Sequence, residues 1–101
     1  MYPIHLSKKA IEDIPKLKKE NPKFPSKLWA LILDIFNNPL DGIGQPEPLK
    51  GDLQGWWSRR ITGKHRLIYR IENGNLEIWK LHLALVTMEI NNKYTSIVVI
   101  Q

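Results

Sequence analysis

Four arginines, a glutamate set between prolines and a pair of tryptophans are the residues whose types and spacing can do chemistry. Arg59, Arg60, Arg66 and Arg70 are all the arginines in the chain, and they fall close together. Guanidinium groups bind phosphate through planar, bidentate contacts that lysine does not make. Ordinary strand-surface charge is the bland reading of such a cluster. Glu47 lies between Pro46 and Pro48, whose rings bias the backbone towards an extended, stiffened form. A carboxylate held rigidly near cations is suited to act as a general base; outside such surroundings it reads as a solvated loop residue. Trp56 and Trp57 are adjacent, so in a strand they point to opposite faces. One belongs in a core. The other either stacks on a nucleobase or packs against helices, and size favours packing.

These residues must be positioned by regular elements. Residues 2–6 read as a short first strand. Ser7 follows as an N-cap, with Ala10, Ile11, Ile14 and Leu17 at helical spacing. Pro15 sits inside that helical pattern and predicts a kink or an early stop. Pro25 and Ser26 open a second helix whose stripe is Leu28, Leu31, Ile32, Ile35 and Phe36, ended by Asn37-Asn38-Pro39. From Gly42 onward the period changes to two. Residues 55–62 and 66–71 read as strands, Asn73-Gly74 as a hairpin turn, and 76–85 as the strand after it. Alternation puts Trp56, Ser58 and Arg60 on one face and Trp57, Arg59 and Ile61 on the other. Arg66 and Arg70 share a face in the next strand. In the last strand Lys80, His82 and Ala84 share one face, and Trp79, Leu81, Leu83 and Leu85 the other.

Two helices followed by a small antiparallel sheet define an α+β layout. The 101 residues, 43% of them hydrophobic, suffice for one domain and not two. A formal net charge of +5 favours an anionic partner over a neutral one, although charge also serves solubility. The chain has no cysteine, which excludes disulfides and thiolate metal sites; no metal or cofactor is expected. Residues 1–6 are too short and polar for a signal peptide, and no apolar run approaches membrane-spanning length. A cytoplasmic protein without a membrane partner is therefore expected. The run Thr95-Ser96-Ile97-Val98-Val99-Ile100 is a candidate edge strand or a sticky extension.

Residues 38–69 contain GIGQPEPLKG (42–51), WSRRIT (57–62) and HRLIY (65–69), in that order. Together these resemble the YoeB family of bacterial toxins within the RelE superfamily. The resemblance covers residues 1–83 and supports a toxin domain over 1–85, leaving 86–101 as an atypical extension. It implies a RelE-like microbial RNase fold and ribosome-dependent cleavage of messenger RNA. It also implies neutralisation by a YefM/Phd-type antitoxin, with a homodimer or a toxin–antitoxin hetero-oligomer as the assembly. Metal-free RNA cleavage needs a base for the ribose 2′-hydroxyl, a cation for phosphate charge and an acid for the leaving 5′-oxygen. The resemblance assigns Glu47 as the base and Arg66 as the phosphate stabiliser, with Lys50 and Arg60 supporting RNA binding. Arg59 and Trp57 join them as candidate RNA contacts, while His65 takes a supporting structural role.

One position departs from the family pattern. The last strand of the family ends in a histidine, the general acid, followed by a tyrosine. Ungapped alignment puts Ala84 and Leu85 there, and alanine transfers no proton. His82 is the nearest substitute, but two residues along a strand is about 6.6 Å, so it serves only if the strand shifts or bulges. A second reading is therefore a catalytically inactive homologue acting as an antitoxin-binding module or decoy.

Overall fold

Ser7 joins the first strand to the first helix and ties both to the end of the hairpin. The computed structural model describes residues 3–63, 65–81 and 99–100. Strand β1 (Ile4–Ser7) runs straight into α1 (Lys8–Glu20). The buried Ser7 hydroxyl accepts from the Ala10 amide at 3.0 Å and donates to the carbonyl of Trp79. An N-cap bond of this kind is worth about 1 kcal/mol.

Helix α1 runs through Pro15, where a kink or an early stop was expected, and continues to Glu20. Pro15 and Ile11 are both exposed, so water can reach the Ile11 carbonyl that loses its N–H partner. Ala10 and Leu17, both buried, hold the helix on either side of the proline. Asn21 ends it by donating its amide to the Leu17 carbonyl at 2.8 Å. Helix α2 (Phe24–Asn37) carries proline in its first turn and buries Phe24, Leu28, Leu31, Ile32 and Ile35. That is the expected stripe, with Phe24 added and Phe36 only partly covered.

The sheet contains β1, β2 (Glu47–Pro48), β3 (Trp57–Arg60), β4 (Arg66–Glu72), β5 (Asn75–Lys80) and β6 (Val99–Ile100), in the order β2-β3-β4-β5-β1-β6. Strands β2 to β5 are antiparallel neighbours, but β1 pairs with β5 in parallel. The small antiparallel sheet expected is present in β2 to β5, and the parallel pairing of β1 makes the whole sheet mixed. The two helices carry the chain over the sheet, as a parallel pairing requires. Asn73 (φ 52°) and Gly74 (φ 77°) form the β4–β5 turn, the left-handed pair that matches hairpin twist. Residues 86–98, and with them most of the expected extension, lie outside the described residues.

One face of the sheet meets the helices. Leu67, Tyr69, Leu76, Ile78 and Leu81 pack there against Ala10, Leu17 and the α2 stripe. The opposite face carries a smaller cluster of Leu53, Trp56, Ile68 and Trp79, with the indoles of Trp56 and Trp79 6.1 Å apart. Trp79 was expected to share a face with Leu81. A bulge separates them: Tyr69 pairs with Ile78 but Ile68 with Lys80, leaving Trp79 as the extra residue.

Candidate functional site

Register places the polar candidates on the face away from the helices. Glu47 lies opposite Ser58, Ser58 opposite Ile68, and Ile68 opposite Lys80. Arg60 lies opposite Arg66. Directly opposed residues project to the same side, and Ile68 belongs to the cluster beyond the helices. Glu47, Ser58, Arg60, Arg66 and Lys80 therefore share that side. Adjacent strands lie about 4.8 Å apart, so the group crosses four strands and spans about 14 Å from Glu47 to Lys80.

The four arginines divide into two pairs. Arg59 is fully buried and ion-paired to Asp34 at 2.6 Å. Arg70 pairs with Glu77 at 2.5 Å and Glu72 at 3.1 Å, and its guanidinium lies 4.4 Å from the centre of the Trp56 ring. Among the described residues neither Arg60 nor Arg66 has a carboxylate partner. Arg66 is half-buried, and its Nη1 donates to the Ser58 hydroxyl oxygen at 3.1 Å; Arg60 is exposed. Two like charges directly opposed across a ladder destabilise it, unless an anion comes to lie between them. Glu47 and Lys50 are both exposed, Lys50 leading into the 3-10 turn Gly51–Leu53.

Two of the expected RNA contacts lie away from this face. Arg59 points to the helix side and is fully buried. Its Nη1 donates to Asp34 Oδ2 and to the Ile43 carbonyl at 3.2 Å. Its Nη2 donates to the carbonyls of Asn38 and Asp41, and its Nε to the Tyr69 hydroxyl. Trp57 pairs with Tyr69 and packs against the helix-side core, which takes its ring away from Glu47 and Arg66. Trp56 is buried in the smaller cluster.

Charge follows the same division. The Arg59 guanidinium beside Asp34 holds that carboxyl below its ordinary value, burial opposing and the Ile43 amide assisting. Burial pushes the Tyr69 phenol up, against the pull of Arg59. His65 is buried, its Nε2 2.9 Å from Glu20 Oε1, which ties the start of β4 to the end of α1. That contact lines a groove of about 450 Å³ with Leu17, Phe24 and Thr62, on the helix side and apart from Glu47. His82 and Ala84 lie outside the described residues.

Ser58 and Lys80 complete the group without having been singled out by residue type. Alternation with Arg60 was the signal for Ser58, and alternation with His82 that for Lys80. Among the described residues no three histidine, cysteine or acidic side chains converge to hold a metal. No helix there is long and apolar enough to cross a membrane.

Comparison with known proteins gives consistent matches. The model of the YoeB-like toxin of bacterial type II toxin–antitoxin systems matches residues 6–83. The toxin YoeB of Streptomyces coelicolor is 45% identical over 67 residues, covering 66% of this chain and 80% of that one. The YoeB–YefM complex from Staphylococcus aureus superposes with a TM-score of 0.74 at 35% identity, covering 83% of this chain and 98% of that one. The YoeB dimer from the same organism gives a TM-score of 0.76 at 34% identity, with 82% and 97% covered.

Proposed function

This chain belongs to the YoeB-like toxins of bacterial type II toxin–antitoxin systems, and on that premise we propose that it is a ribosome-dependent endoribonuclease acting on messenger RNA. The observation that carries the reading is the pair Arg60 and Arg66, without carboxylate partners among the described residues, on the same face as Glu47. Phosphate fits between cations that nothing else among the described residues neutralises. Glu47 takes the proton of the ribose 2′-hydroxyl, whose oxygen attacks the adjacent phosphorus. The P–O5′ bond breaks, leaving a 2′,3′-cyclic phosphate on one fragment and a 5′-hydroxyl on the other. Arg66, held towards Ser58 by their hydrogen bond, stabilises the charge that builds on the phosphoryl oxygens. Arg60 and Lys50 hold the strand.

The leaving oxygen needs a proton. Ala84 cannot give one, and His82 is the candidate to do so. Without an effective acid, cleavage is slowed by about 10²–10⁴-fold. The Staphylococcus aureus relatives were solved with YefM and as a dimer. The corresponding partners here are a YefM/Phd-type antitoxin and a second copy of the chain, in the cytoplasm, with no cofactor. Ala84 favours a second reading, an antitoxin-binding homologue that does not cut.

The test is cleavage of a defined message on ribosomes, mapped by primer extension, for the parent chain, Glu47→Ala, Arg66→Ala and the double variant Ala84→His with Leu85→Tyr. Discrete cuts by the parent, lost in Glu47→Ala and Arg66→Ala, support the enzyme. Cuts by the double variant alone support the binding homologue. Cuts that survive both alanine substitutions overturn the assignment of the site.

A further inference from the structure

We propose, building on the reading of Glu47 as the base, that Arg59 is its positioning residue: a buried guanidinium that clamps the loop from Asn38 to Gly44 onto β3 and so sets where the Glu47 carboxylate stands.

Strand β2 cannot hold that carboxylate by itself. It has two residues at the edge of the sheet, and Pro46 and Pro48 have no N–H to donate. Backbone bonds bracket it, from the Arg60 amide to the Gly44 carbonyl at 2.7 Å and from the Leu49 amide to the Trp56 carbonyl at 2.9 Å. The first depends on where the preceding loop lies, and Arg59 holds that loop. Three of its carbonyls, at Asn38, Asp41 and Ile43, accept from the guanidinium. Asp34 Oδ2 accepts both from Arg59 and from the Ile43 amide at 3.0 Å. The Tyr69 hydroxyl accepts from Arg59 Nε and donates to the Pro39 carbonyl at 2.8 Å. The approach is close enough that a Cβ on Gly42 would come within 2.0 Å of Asp34 Oδ2.

Arg59 is flanked in β3 by Ser58 and Arg60, whose side chains project to the opposite face. One short strand thus carries phosphate-binding groups on one side and the anchor of the base-bearing loop on the other. Packing alone does not call for this residue. A buried ion pair is often replaced by apolar side chains without loss of stability, and lysine lacks the rigid fork that reaches several acceptors at once.

The experiment measures single-turnover cleavage on ribosomes for Arg59→Met, Arg59→Lys and Tyr69→Phe, each with and without Glu47→Ala. Urea unfolding and hydrogen exchange at the Ile43 amide are followed in parallel. Arg59→Met and Arg59→Lys are expected to lower the maximal rate by about tenfold or more, because an ångström of misplacement is costly, while half-saturation moves less than about twofold. Tyr69→Phe, which keeps the core shape, is expected to lower the rate by about threefold and to speed exchange at Ile43. In the Glu47→Ala background none of the three should lower the residual rate further.

Losses that add to that of Glu47→Ala, or parental rates with unchanged exchange, overturn the role of Arg59 and leave Glu47 as the base. A Glu47→Ala variant as fast as the parent overturns the base itself, and the role of Arg59 with it.

Discussion

At the scale of single residues, the four arginines show how position decides what one side chain does. Arg60 and Arg66 face the open side of the sheet without carboxylate partners among the described residues, whereas Arg59 and Arg70 are ion-paired. The Arg59–Asp34 pair makes stability depend on acid. The Asp34 carboxyl titrates below its ordinary value when folded. Its contribution is therefore complete above the unfolded value of about 3.9 and is lost as pH falls through the folded one. The urea midpoint should drop as pH falls below about 4, and the Asp34-dependent part of that drop should be missing in Asp34→Asn. That variant should also be less stable at neutral pH, because it leaves the Arg59 charge buried without its counter-ion. Equal acid slopes for the parent chain and Asp34→Asn would refute the assignment.

At the scale of elements, α1 carries a proline that it tolerates without needing. Pro15 removes the N–H that would bond the Ile11 carbonyl, and both residues are exposed. Proline in a helix interior is about 3 kcal/mol less favourable than alanine. Pro15→Ala should stabilise the protein by about 1–3 kcal/mol in urea titrations, with RNA cleavage unchanged because the site lies across the sheet. An unchanged midpoint would mean that water already satisfies the Ile11 carbonyl fully. The bulge at Trp79 works at the same scale. It lets two consecutive residues of β5, Trp79 and Lys80, face the side away from the helices, where regular alternation would have placed only one.

At the scale of the whole molecule, the exposed positive charge of the described residues lies on both sides of the sheet. Lys8, Lys9, Lys16, Lys18, Lys19, Lys23 and Lys27 are all exposed on the two helices and the turn between them, on the side of the sheet opposite Arg60 and Arg66. Salt dependence can report which side meets a substrate strand. A single strand loses about 0.7 in the slope of log affinity against log salt for each phosphate contact removed. For a short single-stranded RNA, Arg60→Gln should reduce the slope by about that amount, and Lys16→Gln combined with Lys19→Gln should leave it unchanged. A reduction by the lysine pair would move the strand to the helical side.

Local rules suffice for much of this protein. The N-cap at Ser7, the stripe of α2 and the turn at Asn73-Gly74 each depend on residues within a few positions of one another. The ordered motifs at 42–51, 57–62 and 65–69 identify the family for the same reason, since each is a contiguous string. The family resemblance nominates Glu47, Arg60 and Arg66, but only the register of β2, β3 and β4 puts them on one face. Tertiary structure alone decides the fate of Arg59. The carboxylate and carbonyls that capture it lie 16 to 25 residues earlier in the chain, and no pattern near Arg59 announces them. It likewise decides that β1 runs parallel to β5 and that Trp79 leaves the face of Leu81. A period of two marks the two sides of a strand. It does not encode the direction of the neighbouring strand, the extra residue of a bulge or the side that the helices will cover.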